Sequence, residues 1–64
     1  MNNNENLRQQ VKVLKALQNV SYKEIAEYLE IKQQSFYNWL KGSYDLSFKK
    51  QIKLQEIIIT LKEN

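Results

Sequence analysis

Apolar residues recur along this chain at steps of three and four, the spacing that puts side chains on one face of a helix. Leu7, Val11, Leu14 and Leu17 mark a first stripe, with Arg8, Lys12 and Lys15 on other faces, and predict a helix from about Glu5 to Gln18 stopped by Asn19. The second helix has the clearest start. Ser21 and Glu24 form an S-x-x-E capping box, in which hydroxyl and carboxylate each satisfy a free backbone N–H, and Val20 with Ile25 can staple across it. This helix is expected to end at Leu29 or Glu30. After the turn Glu30-Ile31-Lys32 a third helix runs from roughly Gln33 to Leu40, with Gly42 placed to stop it in a left-handed cap. Ser47 caps a fourth, about Phe48 to Lys62, whose apolar residues are Phe48, Ile52, Leu54, Ile57, Ile58, Ile59 and Leu61.

Between Tyr22 and Lys41 the pattern becomes more specific. Ala26 is small among the larger Ile25 and Leu29, as a position must be where two helices cross closely. The apolar set Ile25, Leu29, Ile31, Phe36, Trp39 and Leu40 closes a shared core, so Phe36 and Trp39 are assigned to the core rather than to base stacking. Gln33, Gln34, Tyr37, Asn38 and Lys41 are left on the opposite side of the third helix. All five can hydrogen-bond, and such a face suits base edges and phosphates.

Composition narrows the class. Sixty-four residues make one domain with a single core, near the lower size limit for folding without staples. There is no Cys, hence no disulfide and no zinc-thiolate site, and zero Pro with one Gly favours helices joined by short turns over strands. Met1 to Asn4 is expected to be a frayed Asn-rich tail. No apolar run approaches the roughly 20 residues of a membrane span, and the polar start carries no signal-peptide core, so a cytoplasmic location is expected. Residues 22–30 hold Lys23 against Glu24, Glu27 and Glu30, whereas residues 32–53 hold Lys32, Lys41, Lys49, Lys50 and Lys53 against Asp45 alone. Positive charge therefore gathers on and after the third helix.

The stretch 22–41 resembles the helix-turn-helix of the Cro and lambda-repressor-like family. Alanine stands at the fifth place (Ala26), apolar residues at the fourth, eighth and tenth (Ile25, Leu29, Ile31), Phe36 at the fifteenth and Trp39 at the eighteenth. The flanks are similar too: a preceding helix, a W-L-K-G ending at Gly42, and a D-L-S segment from Asp45 to Ser47 opening another helix. The resemblance covers about residues 5–62. It implies an all-α bundle of four to five helices and a bacterial or phage regulator that binds double-stranded DNA sequence-specifically, as a homodimer on a two-fold operator. By position in the motif, Gln33, Gln34, Tyr37 and Asn38 match base-reading places, and Gln and Asn can pair bidentately with adenine. Tyr22 stands where Gln is frequent and its phenol suits a phosphate. Glu30 stands where Gly is frequent, at an expected cost of about 1–2 kcal/mol if the backbone there is left-handed.

The lysines and the last helix extend the picture. Lys32 and Lys41 flank the third helix and are assigned to phosphates. Lys49 and Lys50 fall in the first turn of the fourth, where the macrodipole disfavours cations by about 0.3–1 kcal/mol each, a placement that a phosphate strand would explain. Ile57, Ile58 and Ile59 span more arc than one core-facing stripe can bury, so one of them is expected at the surface. Together with Leu61 they are the expected dimer or partner surface. The alternative to DNA reading is a protein-interaction module of the same shape, engaging an antirepressor-type or inhibitor-type partner through that patch. Glu24, Glu27 and Glu30 read as a cap and a solvent face. With no His and no Cys to complete a site, neither a metal, a cofactor nor enzyme chemistry is expected.

Overall fold

A computed structural model describes residues 3–63 as four helices: α1 (Asn4–Gln18), α2 (Tyr22–Tyr28), α3 (Gln33–Leu40) and α4 (Phe48–Lys62). Helix α4 packs against α1 and α2, and α2 against α3. The shared core holds Leu7, Val11 and Leu14 from α1, Ile25, Ala26 and Leu29 from the α2 segment, Phe36 and Trp39 from α3, and Leu54 and Ile58 from α4. Burying each large member contributes about 1.5–3 kcal/mol, which makes this cluster the main source of stability.

Local chemistry explains where the helices begin and end. Ser21 Oγ accepts from the Glu24 amide at 3.2 Å, and Ser47 Oγ from the Lys50 amide at 3.4 Å, so both serines cap as expected, whereas the return bond from a backbone N–H to the Glu24 carboxylate is not formed. Two helix ends share one motif. After α3 the Ser43 amide donates to Asn38 O and the Gly42 amide to Trp39 O, both at 3.0 Å, with Gly42 at φ 90°. After α2 the Ile31 amide donates to Ala26 O and the Glu30 amide to Glu27 O, again at 3.0 Å, with Glu30 at φ 61°. These are paired 6→1 and 5→2 closures around a left-handed residue. Glycine adopts that backbone freely and Glu30 does not.

Several expectations need correction. Asn4 does not fray: it opens α1 and is 2% exposed, whereas Met1 and Asn2 lie outside the described residues. Leu17 is 76% exposed, because at about 100° per residue it lies about 120° around the helix from Val11, at the edge of the stripe that Leu7, Val11 and Leu14 bury. Phe48 and Ile52 are exposed as well, since the buried side of α4 is set by Leu54 and Ile58. Of the three consecutive isoleucines, Ile58 is fully buried, Ile57 is partly buried against the core, and Ile59 reaches the surface. A helix turns about 100° per residue, so the three cannot share a face. Ile58 is thereby excluded from a dimer surface, and Leu61, partly buried like Ile57, is turned toward the core.

Candidate nucleic-acid interface

The back of α3 is immobilised first. Phe36 and Trp39 are fully buried, with their rings 5.5 Å apart, and Tyr22 tilts against Phe36 at 5.6 Å. Trp39 is also held by polar groups. Its indole N–H donates to Asn4 Oδ1 at 2.8 Å, and the same oxygen accepts from the Leu46 amide at 2.8 Å. Arg8, 6% exposed, lies 5.2 Å from the Trp39 ring centroid and donates from Nε to Trp39 O at 2.6 Å. One outer nitrogen donates to Tyr44 O at 2.7 Å and to Asp45 Oδ1 at 3.1 Å, and the other pairs with Glu5 at 3.3 Å. The Tyr44 hydroxyl in turn donates to Ser35 O at 2.9 Å. Asn4 and Arg8 thus bind α1 to the end of α3 and to the loop that follows it, and among the described residues no buried side-chain nitrogen or oxygen lacks a partner.

The front of α3 carries the residues assigned to base reading. Gln33 and Gln34 are exposed, and Tyr37 and Asn38, one turn later, are half-buried. They pair among themselves along the helix: Gln33 Nε2 donates to Tyr37 Oη at 3.0 Å, and Gln34 Nε2 to Asn38 Oδ1 at 3.2 Å. Both are i,i+4 pairs of the kind that orients side chains for a few tenths of a kcal/mol. Tyr37 is braced from behind, its ring meeting the Tyr22 ring edge-on at 5.7 Å. Each pair leaves donors and acceptors pointing outward, because a primary amide has more hydrogen-bonding sites than one partner uses. Burial, and secondly the neighbouring Tyr37 phenol, push the Tyr22 hydroxyl above its ordinary pKa of 10.0. Tyr22 stays neutral at physiological pH and offers a hydroxyl donor.

The cations assigned to phosphates divide by position. Lys32 precedes α3 in extended backbone, makes no side-chain cap, and is exposed, as are Lys41 at its far end and Lys49 at the start of α4. Lys50 is differently placed. Its ammonium donates to Leu29 O, capping the end of α2. Lys53 makes an ion pair with Glu30 at 3.7 Å and sits 5.6 Å from the Tyr28 ring centroid. The last helix therefore anchors the α2–α3 turn from below. Asn4 and Arg8 had no local sequence signal; the only hint was an asparagine and an arginine beside a helical stripe that needed neither.

Among the described residues no group of His, Cys, Asp and Glu is arranged to hold a metal, and no helix is long and apolar enough to cross a membrane. Comparison with protein-family models, with curated proteins and with solved structures finds no match to this chain.

Proposed function

We propose that α2 and α3 act as a helix-turn-helix and that the chain is a sequence-specific regulator of transcription, with α3 entering the major groove of double-stranded DNA. The observation that carries this is the division of α3 itself: Phe36 and Trp39 are locked in the core, while Gln33, Gln34, Tyr37 and Asn38 form an ordered outward face with hydrogen-bonding capacity to spare. A major groove about 12 Å wide admits such a helix, and the exposed amides match the donor–acceptor edge of adenine. Lys32 and Lys41, exposed at the two ends of α3, take the flanking phosphates, and the uncapped first turn adds backbone N–H groups to the same role. Tyr22 supports the face by bracing Tyr37. The chain works as a homodimer on a two-fold operator, since dimer symmetry and site symmetry then match.

Selection of bound duplexes from a random pool, with the mass of the bound protein measured in parallel, tests this. A palindromic consensus bound by two chains is expected. Absence of any enriched sequence would refute it.

A second reading has its own support, because Phe48, Ile52 and Ile59 are 66%, 48% and 49% exposed on α4. A protein-interaction module would use that surface and leave α3 idle. Binding that ignores salt and DNA sequence would favour it, whereas steep salt dependence on one sequence favours DNA reading.

A further inference from the structure

Helix α4 carries apolar residues on two sides. Leu54 and Ile58 are fully buried; Phe48, Ile52 and Ile59 line a different side and are open to solvent. At about 100° per residue, half-buried Gln55 and exposed Lys62 fall on the same stripe. The sequence Phe48, Ile52, Gln55, Ile59, Lys62 advances by alternating steps of four and three, which is the spacing of a coiled-coil seam. One exposed isoleucine needs no explanation. A seam along all 15 residues of the helix does.

We propose that this stripe is the docking surface for a second copy of the same chain, with the two α4 helices antiparallel across a two-fold axis at Gln55. The stripe is nearly symmetric about Gln55. Antiparallel pairing sets Ile52 against Ile59 of the second copy, twice, and lays each Phe48 over the aliphatic stem of a Lys62. Gln55 meets its own copy, and two primary amides can donate and accept mutually, so this polar pair fixes register as a seam asparagine does. Charge selects the direction. One flank of the stripe carries exposed Lys49 near its start and exposed Glu63 beyond its end. An antiparallel pair brings the same flanks of the two helices together and puts each Lys49 beside a Glu63 of the other copy, whereas a parallel pair turns this flank toward the opposite one, where Gln51 and Ile58 carry no charge. Glu56, on the same flank near the axis, accepts from the Tyr28 hydroxyl at 3.4 Å and is drawn toward its own chain.

One helix pair of this length falls below the roughly 1,200 Å² of a standard interface, so the free dimer is weak and a two-fold DNA site strengthens it. In the dimer Lys49 serves the partner helix, which leaves the phosphates to Lys32 and Lys41. The use of this dimer rests on the DNA reading above, but the dimer itself is tested without DNA.

Sedimentation equilibrium of the full chain is the experiment, with circular dichroism to verify folding. A monomer–dimer equilibrium in the micromolar range is expected. Ile52→Glu and Ile59→Lys should each weaken it by about tenfold or more while leaving helicity unchanged, because both positions are half-exposed. The double variant I52E/I59K should recover much of the lost affinity, since antiparallel pairing brings its opposite charges together. A strict monomer up to millimolar concentration, or a double variant weaker than either single one, would overturn the proposal. Dimerisation without DNA binding would sustain it and refute DNA reading; a strict monomer that binds its duplex would do the reverse.

Discussion

Two clusters of polar side chains meet α3 from opposite sides, and they differ in what they leave unused. Behind α3, Asn4 and Arg8 are almost wholly buried, the Asn4 side-chain oxygen is taken by Trp39 and Leu46, and the Arg8 nitrogens by Glu5, Trp39, Tyr44 and Asp45. In front, Gln33, Gln34, Tyr37 and Asn38 bond only to one another and keep further donors and acceptors toward solvent. A saturated buried network has nothing to offer a ligand, but an unsaturated ordered one does. The first cluster therefore maintains the fold, and the second keeps hydrogen-bonding groups that the fold does not use.

Substitutions should separate the two. The largest expected effect is behind α3. Asn4→Ala leaves the Trp39 indole N–H and the Leu46 amide without their buried acceptor, at about 2–4 kcal/mol for the two donors. For so small a domain that is a large share of total stability, and a fall in the urea midpoint at unchanged slope checks it. DNA affinity per folded molecule should stay the same. In front, Gln33→Ala should cost about 1–3 kcal/mol of binding and relax preference at one operator position, with thermal stability almost unchanged. An equal loss on every duplex would show that Gln33 reads no base.

The turn between the clusters gives a smaller effect of opposite sign. Glu30 adopts at φ 61° the backbone that Gly42 adopts at φ 90°. Glu30→Gly should therefore stabilise the domain by about 0.5–1 kcal/mol, the relieved strain outweighing both the lost ion pair with Lys53 and the added freedom of the unfolded chain. Denaturant unfolding decides it, and destabilisation would mean that the ion pair outweighs the strain.

The smallest effect belongs to Tyr22, which touches both clusters through Phe36 and Tyr37. Its hydroxyl is raised above 10.0 mainly by burial, so the folded state favours the neutral form. That contribution is fully present below the unfolded pKa and is lost as pH rises through the folded value. Tyr22→Phe should flatten the alkaline fall in stability beyond about pH 10. An unchanged alkaline limb would remove Tyr22 as its cause.

Sequence reached these two clusters unequally. The bounds of α3 and α4 were legible because Ser47 and Gly42 are local signals: a hydroxyl bonds an amide three residues on, and glycine takes the left-handed turn. The front of α3 was legible too, since burying Phe36 and Trp39 on one side leaves Gln33, Gln34, Tyr37 and Asn38 on the other. Asn4 and Arg8 were not, because their partners lie more than thirty positions away and only the folded chain brings them together. Phe48, Ile52 and Leu17 fail for a related reason. Helical spacing shows which residues share a face, but not whether another element covers it.

The most direct test of the front face is a nuclear magnetic resonance titration of a duplex carrying the selected sequence into isotopically labelled protein. The side-chain amides of Gln33, Gln34 and Asn38 and the backbone amides of α3 should shift most, while the side-chain amide of Asn4 stays near its free position. Shifts confined to the Phe48–Ile59 side of α4, with α3 unmoved, would contradict DNA reading by α3.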